Sequence, residues 1–374
     1  MACQSSPSVY TSAGATLSIA PEPLLHSDLS VPIRNRSHLV YSWSPHLPSH
    51  IHAPTSPLFP LVALAKQHAD APLAASIADY AHAARALLKE QLTPHGAVLL
   101  RGMPLRTEED FSAFVLSLGW QPLKLGGGGT QRSDVADGVR TASDEPAEQT
   151  IEPHMDMAHS KLHPKRIAFF CHAGPPHGVG GETVFTDMRR VYQSLAALGI
   201  PQAFEARGGV AYRKQLWSSE RVAHAYTWQQ FFFTQSLEEA TQQVLRRDPN
   251  AQVTDDGIIR FSEILPASPP HPQTGEPTWF NGVHTNHRSY YMEAAHVDTS
   301  DGSPMDTEYA DGTPIEEHTI ALIRAAYWNH SVAVRLQDGD VAVVDNMLAS
   351  HGRMGWIPGY PRRVLLTHFS DSTW

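Results

Sequence analysis

The chain has 374 residues, of which 41% are hydrophobic, so it can bury one large core or two modest ones. Its net charge of −10 arises from 38 acidic and 28 basic side chains without a Lys/Arg-rich run, which argues against nucleic-acid or membrane-surface binding. No apolar stretch reaches the roughly 18 residues of a transmembrane helix. Two cysteines, Cys3 and Cys171, indicate no disulfide framework and favour a reducing, cytoplasmic compartment.

The first 60 residues are rich in Ser, Pro, Ala and His and show no helical or strand periodicity. This composition predicts an irregular, partly disordered leader over 1–60, followed by a single domain over 61–374. Glu22 and Asp28 argue against an organelle transit peptide, which is usually poor in acidic residues, and targeting by the leader stays the alternative.

Two helices and a strand are predicted after the leader. Apolar residues at helical spacing predict a helix over 72–90, with Pro72 in its first turn. The segment 96–101 is typical of a short buried strand. A second helix is predicted over 108–118, with Thr107 as its N-cap.

From residue 150 onward, short apolar runs separated by turns predict many strands and few helices. The predicted strands cover 166–171, 183–186, 208–212, 278–281, 332–335, 341–344 and 364–367. The predicted helices cover 188–198, 237–246 and 315–327. This pattern favours a β-sandwich or barrel with flanking helices over a parallel α/β sheet.

A metal site is suggested by the spacing His-x-Asp. Non-haem Fe(II) oxygenases bind iron through two histidines and one carboxylate on one face of the metal. Two residues separated by one on an extended segment point the same way, so His-x-Asp suits this arrangement. The spacing occurs at His26-Ser-Asp28, His68-Ala-Asp70, His154-Met-Asp156 and His296-Val-Asp298. Because histidine is abundant here, at least three of these pairs are incidental.

The surroundings of the four pairs favour His154 and Asp156. His26 lies in the predicted leader, His68 at a helix boundary, and His296 in a polar loop. His154 stands at the start of the strand-rich half, shortly before a predicted buried strand. A ligand on rigid structure is better preorganised than one on a floppy segment.

The second histidine ligand is predicted near the C-terminus. His351 follows a turn and buried strand over 339–346, and Gly352 behind it permits close approach of another group. A structural histidine is the alternative at this position.

Arg362 and Arg363 open the last predicted strand. A guanidinium pairs bidentately with a carboxylate, such as the distal carboxylate of a 2-oxoacid that chelates iron. The alternative is that these arginines are solvated at the strand edge, and we expect this of one of the two.

Several motifs of the sequence occur in the same order as in a known family. They are Glu152-Pro-His-Met-Asp156, Gly180-Gly-Glu-Thr183, Val344-Asp-Asn-Met-Leu-Ala-Ser-His-Gly-Arg353 and Pro361-Arg-Arg-Val364. The chain resembles the taurine dioxygenase/clavaminate synthase-like family of Fe(II)/2-oxoglutarate-dependent dioxygenases over residues 90–374. The resemblance implies a distorted double-stranded β-helix, a jelly-roll or cupin-like core, with flanking helices.

The same resemblance implies the cofactors and the residues that bind them. His154, Asp156 and His351 match the catalytic, iron-binding triad. Thr183 matches the threonine that contacts the co-substrate 2-oxoglutarate. Arg363 matches the arginine that binds its distal carboxylate, and Arg362 stays the alternative because the segment before it differs in length from the usual. Fe(II), 2-oxoglutarate and O₂ are therefore the expected cofactor and co-substrates.

The implied reaction is hydroxylation of a small polar, amino-acid-like substrate, with release of succinate and CO₂. Desaturation and ring formation stay open, whereas halogenation would need the carboxylate position that Asp156 fills. Candidate substrate contacts are Arg132 and Arg353 for a carboxylate, and Trp279, Asn281 and His284 as pocket lining.

Two other classes of protein are weighed against this interpretation. A different metal-dependent enzyme, such as a zinc hydrolase, would commonly carry His-Glu-x-x-His, which is absent. A non-catalytic protein on the same fold is disfavoured because all three triad positions are intact. The expected partner is a small molecule, and the sequence predicts no oligomeric state.

Overall fold

The computed structural model describes residues 10–11, 17–22, 59–67, 75–123, 132–143, 145–222, 227–293 and 302–370. The strands in chain order are β1 (Tyr10–Thr11), β2 (Leu17–Glu22), β3 (Leu61–Gln67), β4 (Ala97–Arg101), β5 (Asp134–Ala136), β6 (Val139–Thr141), β7 (Ile151–His154), β8 (Arg166–Ala173), β9 (Thr183–Asp187), β10 (Val210–Leu216), β11 (Gln252–Val253), β12 (Ile259–Leu265), β13 (Met305–Tyr309), β14 (Ser331–Val334), β15 (Val341–Asp345), β16 (Ala349–Arg353) and β17 (Arg363–Phe369). The helices are α1 (Ile77–His95), α2 (Glu108–Ser117), α3 (Met188–Ala197), α4 (Ile200–Ala206), α5 (Trp228–Phe232), α6 (Leu237–Arg247), α7 (Val283–Asn286), α8 (Arg288–Glu293) and α9 (Glu317–Asn329).

Two sheets form the core of the fold. The large sheet has the order β1-β2-β3-β4-β15-β8-β17-β6-β5, and the small sheet has the order β14-β9-β16-β7. Along the chain, β7, β9, β14 and β16 lie in the small sheet, whereas β8, β15 and β17 lie in the large one. This exchange between two facing sheets is the jelly-roll connection of a double-stranded β-helix, so the predicted fold class is confirmed.

The side chains of β8 alternate between two cores. Ile167, Phe169 and Cys171 pack into the cluster between the sheets, together with residues of β9 and β14. Ala168 and Phe170 point to the other face, where α1 and α2 cover the large sheet. Alternation with a period of two therefore leaves the strand buried on both faces, which explains its continuous apolar sequence.

A third sheet, β11-β12-β10-β13, is inserted between β9 and β14. Helices α5 and α6 pack on it around Phe231, Phe232 and Phe261. The predicted strand 208–212 and helix 315–327 are observed with shifted bounds as β10 and α9.

Both predicted helices after the leader begin at a capping box. Thr107 caps α2 as predicted, its side chain accepting from the backbone of Asp110. Ser76, which accepts from the backbone of Asp79, caps α1. The helix therefore begins at residue 77, and Pro72 lies outside the described residues.

One predicted strand is wrong. The segment 278–281 pairs with no named strand. Its two aromatic side chains instead anchor an irregular segment in the core, where Trp279 packs edge-to-face on Phe204. The prediction failed because two buried aromatic residues between Pro277 and Gly282 give the same short apolar run as a buried strand.

Two strands, β1 and β2, lie within the predicted leader, and β2 pairs with β3. The division into a leader and one domain stays a prediction. The pairs at His26, His68 and His296 fall outside the described residues. Among the helices that are described, none is long and apolar enough to cross a membrane.

Candidate active site

The two predicted histidine ligands lie side by side on adjacent strands of the small sheet. His154 ends β7 and His351 lies in β16, and the two are direct register partners on these antiparallel strands. Their ring centroids lie 4.7 Å apart. Strand pairing therefore brings together two residues that are distant in sequence.

Asp156 lies in the turn that follows β7, and Asn346 fixes its backbone. The Asn346 side chain accepts from the Asp156 N–H at 3.0 Å and donates to its carbonyl at 2.9 Å. It also donates to the carbonyl of Pro164 at 2.9 Å. Met157, the next residue, has a φ of +58°, which a non-glycine residue rarely adopts. The sharp turn thus directs the Asp156 side chain back toward the histidines.

The three side chains form a donor set that fits Fe(II). One possible ligand atom from each of His154, Asp156 and His351 lies within 4.8 Å of the other two, the one such group found in the described residues. Asp156 Oδ1 is 3.3 Å from Nε2 of His154 and 3.8 Å from Nε2 of His351. Two imidazoles and one carboxylate on one side are the ligands of non-haem Fe(II) oxygenases.

The protonation states of the histidines also suit metal binding. His154 Nδ1 is 2.9 Å from the Glu152 carbonyl, so it carries the proton and leaves Nε2 free to bind a metal. Burial and the neighbouring His154 lower the pKa of His351 to about 3, so its ring is neutral at physiological pH. A neutral imidazole is the form that binds metals.

Asp156 is held in its charged form. Burial alone would raise its pKa, but the Arg132 guanidinium and the hydrogen bond from His368 hold that pKa well below its usual range. Arg132 Nη2 lies 3.1 Å from Oδ2, and His368 Nε2 lies 2.7 Å from the same oxygen. The carboxylate is therefore available as an anionic ligand.

Arg362 approaches Thr183 beside the triad. Its Nε donates to the Gly181 carbonyl at 2.7 Å, and its Nη2 donates to Thr183 Oγ1 at 3.4 Å. Gly181 has a φ of +79°, and a Cβ there would lie 2.9 Å from the Arg362 side chain, so glycine is required. Within the described part of the chain, the Arg362 guanidinium pairs with no carboxylate. Burial lowers its pKa to about 10, and it stays cationic at neutral pH.

Trp356 lies between Arg362 and a second arginine. The guanidinium carbons of Arg353 and Arg362 are 4.8 Å and 5.4 Å from its ring centroid. Arg353 donates to the carbonyls of Glu145, Pro146 and Gln149. These carbonyls occupy its two Nη groups, so Arg353 holds the segment 145–149, while its buried Nε has no partner among the described residues.

Arg363, matched by resemblance to the co-substrate arginine, is directed away from Thr183. Its guanidinium pairs with Glu108, and its side chain is 42% exposed. The two neighbouring arginines diverge, Arg362 toward Thr183 and Arg363 toward Glu108, and the register of β17 against β8 shifts directly after Arg363. The arginine beside Thr183 is therefore Arg362.

The proposed pocket-lining residues have internal partners. Trp279 is fully buried in the core, and the Asn281 side chain donates to the Ala267 carbonyl. His284 Nε2 lies 3.0 Å from the Pro153 carbonyl and its ring packs on Tyr327. These three residues support the structure around the site.

Sequence reasoning missed two residues that contact Asp156. His368 lies on β17 with Val364 and Leu366 at intervals of two, and both of these face the core between the sheets. That alternation could have placed His368 inside. Asn346 carried no comparable signal, because a buried Asn after a strand is indistinguishable from a turn residue.

The fold and the donor set together define a class, a double-stranded β-helix protein with a two-histidine, one-carboxylate candidate iron centre. The model of the family described as taurine catabolism dioxygenase TauD, TfdA family matches residues 57–368, and the chain belongs to this family. The resemblance seen in the sequence is thus confirmed. The chain is an Fe(II)/2-oxoglutarate-dependent dioxygenase by class, with iron as cofactor and 2-oxoglutarate as co-substrate.

Relatives cover most of the chain. The dapdiamide synthesis protein DdaC of Enterobacter agglomerans is 29% identical over 71% of this chain and 80% of its own length. A clavaminate synthase-like protein of Arabidopsis thaliana is 28% identical over 74% of this chain and 82% of its own length. Among solved structures, a taurine dioxygenase from Burkholderia xenovorans aligns at 15% identity with a TM-score of 0.45, covering 83% of this chain and 86% of that one.

Proposed function

We propose that His154, Asp156 and His351 bind the catalytic Fe(II), and that the enzyme hydroxylates a small polar, amino-acid-like substrate with release of succinate and CO₂. The observation that carries the proposal is the convergence of three ligand atoms within 4.8 Å, one from each of these residues. Bound iron together with 2-oxoglutarate and O₂ supplies the oxidising chemistry. The residues of the chain supply binding, orientation and protection from water.

Each ligand is supported by a partner that fixes its direction. The Glu152 carbonyl orients His154, and Asn346 holds the backbone of Asp156. His351 is held by strand pairing on both sides, to β7 and β9. Donors held in place before the metal arrives lose little conformational entropy on binding it.

Arg362 and Thr183 are proposed to bind the distal carboxylate of 2-oxoglutarate. Arg362 is cationic and has no carboxylate partner among the described residues, and the Thr183 hydroxyl lies beside it. A guanidinium and a hydroxyl together can donate to both oxygens of a carboxylate. We therefore assign this contact to Arg362 in place of Arg363.

The substrate class and the compartment are extensions of this proposal. The small, amino-acid-like substrate follows from the branch of the family that the motifs resemble most. A reducing, cytoplasmic compartment is supported by the absence of any cysteine other than Cys3 and Cys171 from the sequence, and Cys171 is buried as a free thiol.

The test is a visible spectrum of the anaerobic protein with Fe(II) and 2-oxoglutarate. We expect a weak charge-transfer band in the parent and in a His330→Ala control, because the His330 side chain hydrogen-bonds only Ser194 among the described residues and lies outside the site. His351→Ala should lose the band and the conversion of 2-oxoglutarate to succinate. A folded parent without the band, or a His351→Ala variant that keeps it, would refute the iron site. If the protein hydrolysed a substrate in the absence of 2-oxoglutarate, it would be a different kind of metal-dependent enzyme.

A further inference from the structure

The two oxygens of the Asp156 carboxylate have different surroundings. Oδ1 faces the Nε2 atoms of His154 and His351, at 3.3 Å and 3.8 Å. Oδ2 accepts from His368 Nε2 at 2.7 Å and from Arg132 Nη2 at 3.1 Å. Arg132 Nη2 is also 3.4 Å from Oδ1, a longer contact. One oxygen is thus directed at the metal position and the other is hydrogen-bonded to the protein.

We propose that His368 and Arg132 are positioning residues that hold Oδ2 of Asp156, so that the carboxylate offers Oδ1 alone to the metal. This inference rests on the proposed iron site and extends it to residues outside the triad. A carboxylate ligand whose second oxygen is hydrogen-bonded is fixed in rotation and binds through one oxygen, which leaves more of the metal open to small molecules.

Asn346 leaves the side chain of Asp156 free to rotate, so further donors are needed to orient the carboxylate. Asn346 binds the N–H and the carbonyl of Asp156, which fixes the main chain but not the side-chain torsions. Rotation of the carboxylate about its last bond has a broad, soft profile, so contacts to its oxygens decide its orientation. His368 and Arg132 make those contacts.

Both donors are themselves held in place. His368 is buried in β17, where strand β8 pairs alongside it, and its ring lies between the two sheets. Arg132 Nη1 donates to the Ala142 carbonyl at 2.6 Å, so the guanidinium approaches Asp156 in a set direction. Since a carboxylate only accepts hydrogen bonds, His368 carries its proton on Nε2.

The first test measures metal binding without turnover. Mn(II) alone, without 2-oxoglutarate, is titrated into the full-length protein, and free Mn(II) is followed by its electron paramagnetic resonance signal. His368→Leu fills the space with an apolar side chain that cannot donate a hydrogen bond, whereas His368→Gln keeps an N–H donor. His330→Leu is a matched control, because the His330 side chain also makes one hydrogen bond within the described residues, between Nε2 and Ser194 Oγ at 2.8 Å, and has an unpaired Nδ1.

We expect Mn(II) affinity to fall roughly 10–100-fold in His368→Leu, as is typical when a group that orients a metal ligand is removed. His368→Gln should recover most of the affinity, and His330→Leu should bind like the parent. Rescue by glutamine separates positioning from a general packing role. Unchanged affinity in His368→Leu would overturn the proposal. So would a loss in His368→Gln as large as in His351→Ala, because His368 would then be a ligand itself.

A second pair of variants decides the matter if His368→Leu does not fold. Arg132→Met removes the other donor from a more exposed position, and Arg132→Lys restores the charge and one donor. Weaker Mn(II) binding in Arg132→Met with partial recovery in Arg132→Lys supports the proposal, and parent-like binding in Arg132→Met overturns it. Failure of the parent itself to bind Mn(II) would refute the proposed iron site and is thereby distinguished from failure of this inference.

Discussion

Arg362 Nη2 lies 3.4 Å from Thr183 Oγ1, although 179 positions separate the two residues in the sequence. Trp356 covers the Arg362 guanidinium, and the Gly181 carbonyl accepts from its Nε. These contacts hold a cation and a hydroxyl side by side next to the triad. The proposed recognition of the distal carboxylate of 2-oxoglutarate depends on this pair.

Replacing Arg362 by Met should weaken binding of 2-oxoglutarate. Truncating one partner of a desolvated charge pair costs about 2–5 kcal/mol, or roughly 30-fold and more in affinity. The measurement is the 2-oxoglutarate dependence of the Fe(II) charge-transfer band. Arg363→Met is the control, because this exposed side chain pairs with Glu108 and such pairs contribute only about 0–1 kcal/mol. Equal losses in the two variants, or a loss in Arg363→Met alone, would contradict the assignment.

Replacing Asn346 by Ala should destabilise the protein and weaken its metal site. The buried side chain makes three hydrogen bonds, to the N–H and carbonyl of Asp156 and the carbonyl of Pro164. Buried groups left without partners cost about 1–3 kcal/mol each, so we expect a loss of roughly 3 kcal/mol or more in the free energy of unfolding. Urea denaturation measures the loss. An Asn346→Ala variant as stable as the parent would mean that water replaces the side chain.

Glu152, two residues before His154, forms a buried ion pair with Arg324. Arg324 Nε lies 3.3 Å from Glu152 Oε2, and Arg324 Nη2 also donates to the His284 carbonyl. Arg324→Met leaves the carboxylate buried without this partner, so we expect a loss of about 3–5 kcal/mol in the free energy of unfolding.

The control for the Arg324 variant is an ion pair at the surface. Arg213 pairs with Glu308 and its side chain is 61% exposed, so Arg213→Met should change stability by less than about 1 kcal/mol. The double variant Glu152→Leu/Arg324→Met should recover part of the loss, since removing both charges leaves none uncompensated. A double variant no more stable than Arg324→Met alone would contradict this explanation.

Stability of the metal-free protein should fall as the pH drops below about 6.5. Burial, followed by the nearby Arg324 charge, lowers the pKa of His284 to about 3. The unfolded chain has an ordinary histidine pKa of about 6.5, so between these values the unfolded state binds a proton that the folded state rejects. Stability is therefore unaffected by this group above about pH 6.5 and declines through that window toward pH 3.

The check is the free energy of unfolding in urea, measured with a chelator at several pH values between about 7 and 5. His284→Gln keeps a donor for the Pro153 carbonyl but cannot titrate, so its stability should depend on pH less steeply than that of the parent. Each such histidine contributes a slope of up to about 1.4 kcal/mol per pH unit within its window. Equal slopes in parent and variant would show that His284 does not contribute.

Local features of this protein could be predicted from its sequence alone. The Thr107 cap needs only residues within four positions, and the strands β8 and β15 follow from short apolar runs bounded by turns. The His154-x-Asp156 spacing could be ranked first among four pairs by its surroundings. The ordered motifs identified the family, because spacing and order are properties of the chain alone.

Tertiary structure decided which side chains meet. Counting by two from Val364 places Arg362 inside, as observed, but the register shift between Arg363 and Val364 means that this count alone could not decide its direction. His368 reaches Asp156 only because β17 lies in the large sheet next to β8. Pairing between strands far apart in sequence depends on the packing of the whole core, and no local pattern of residues encodes such a contact.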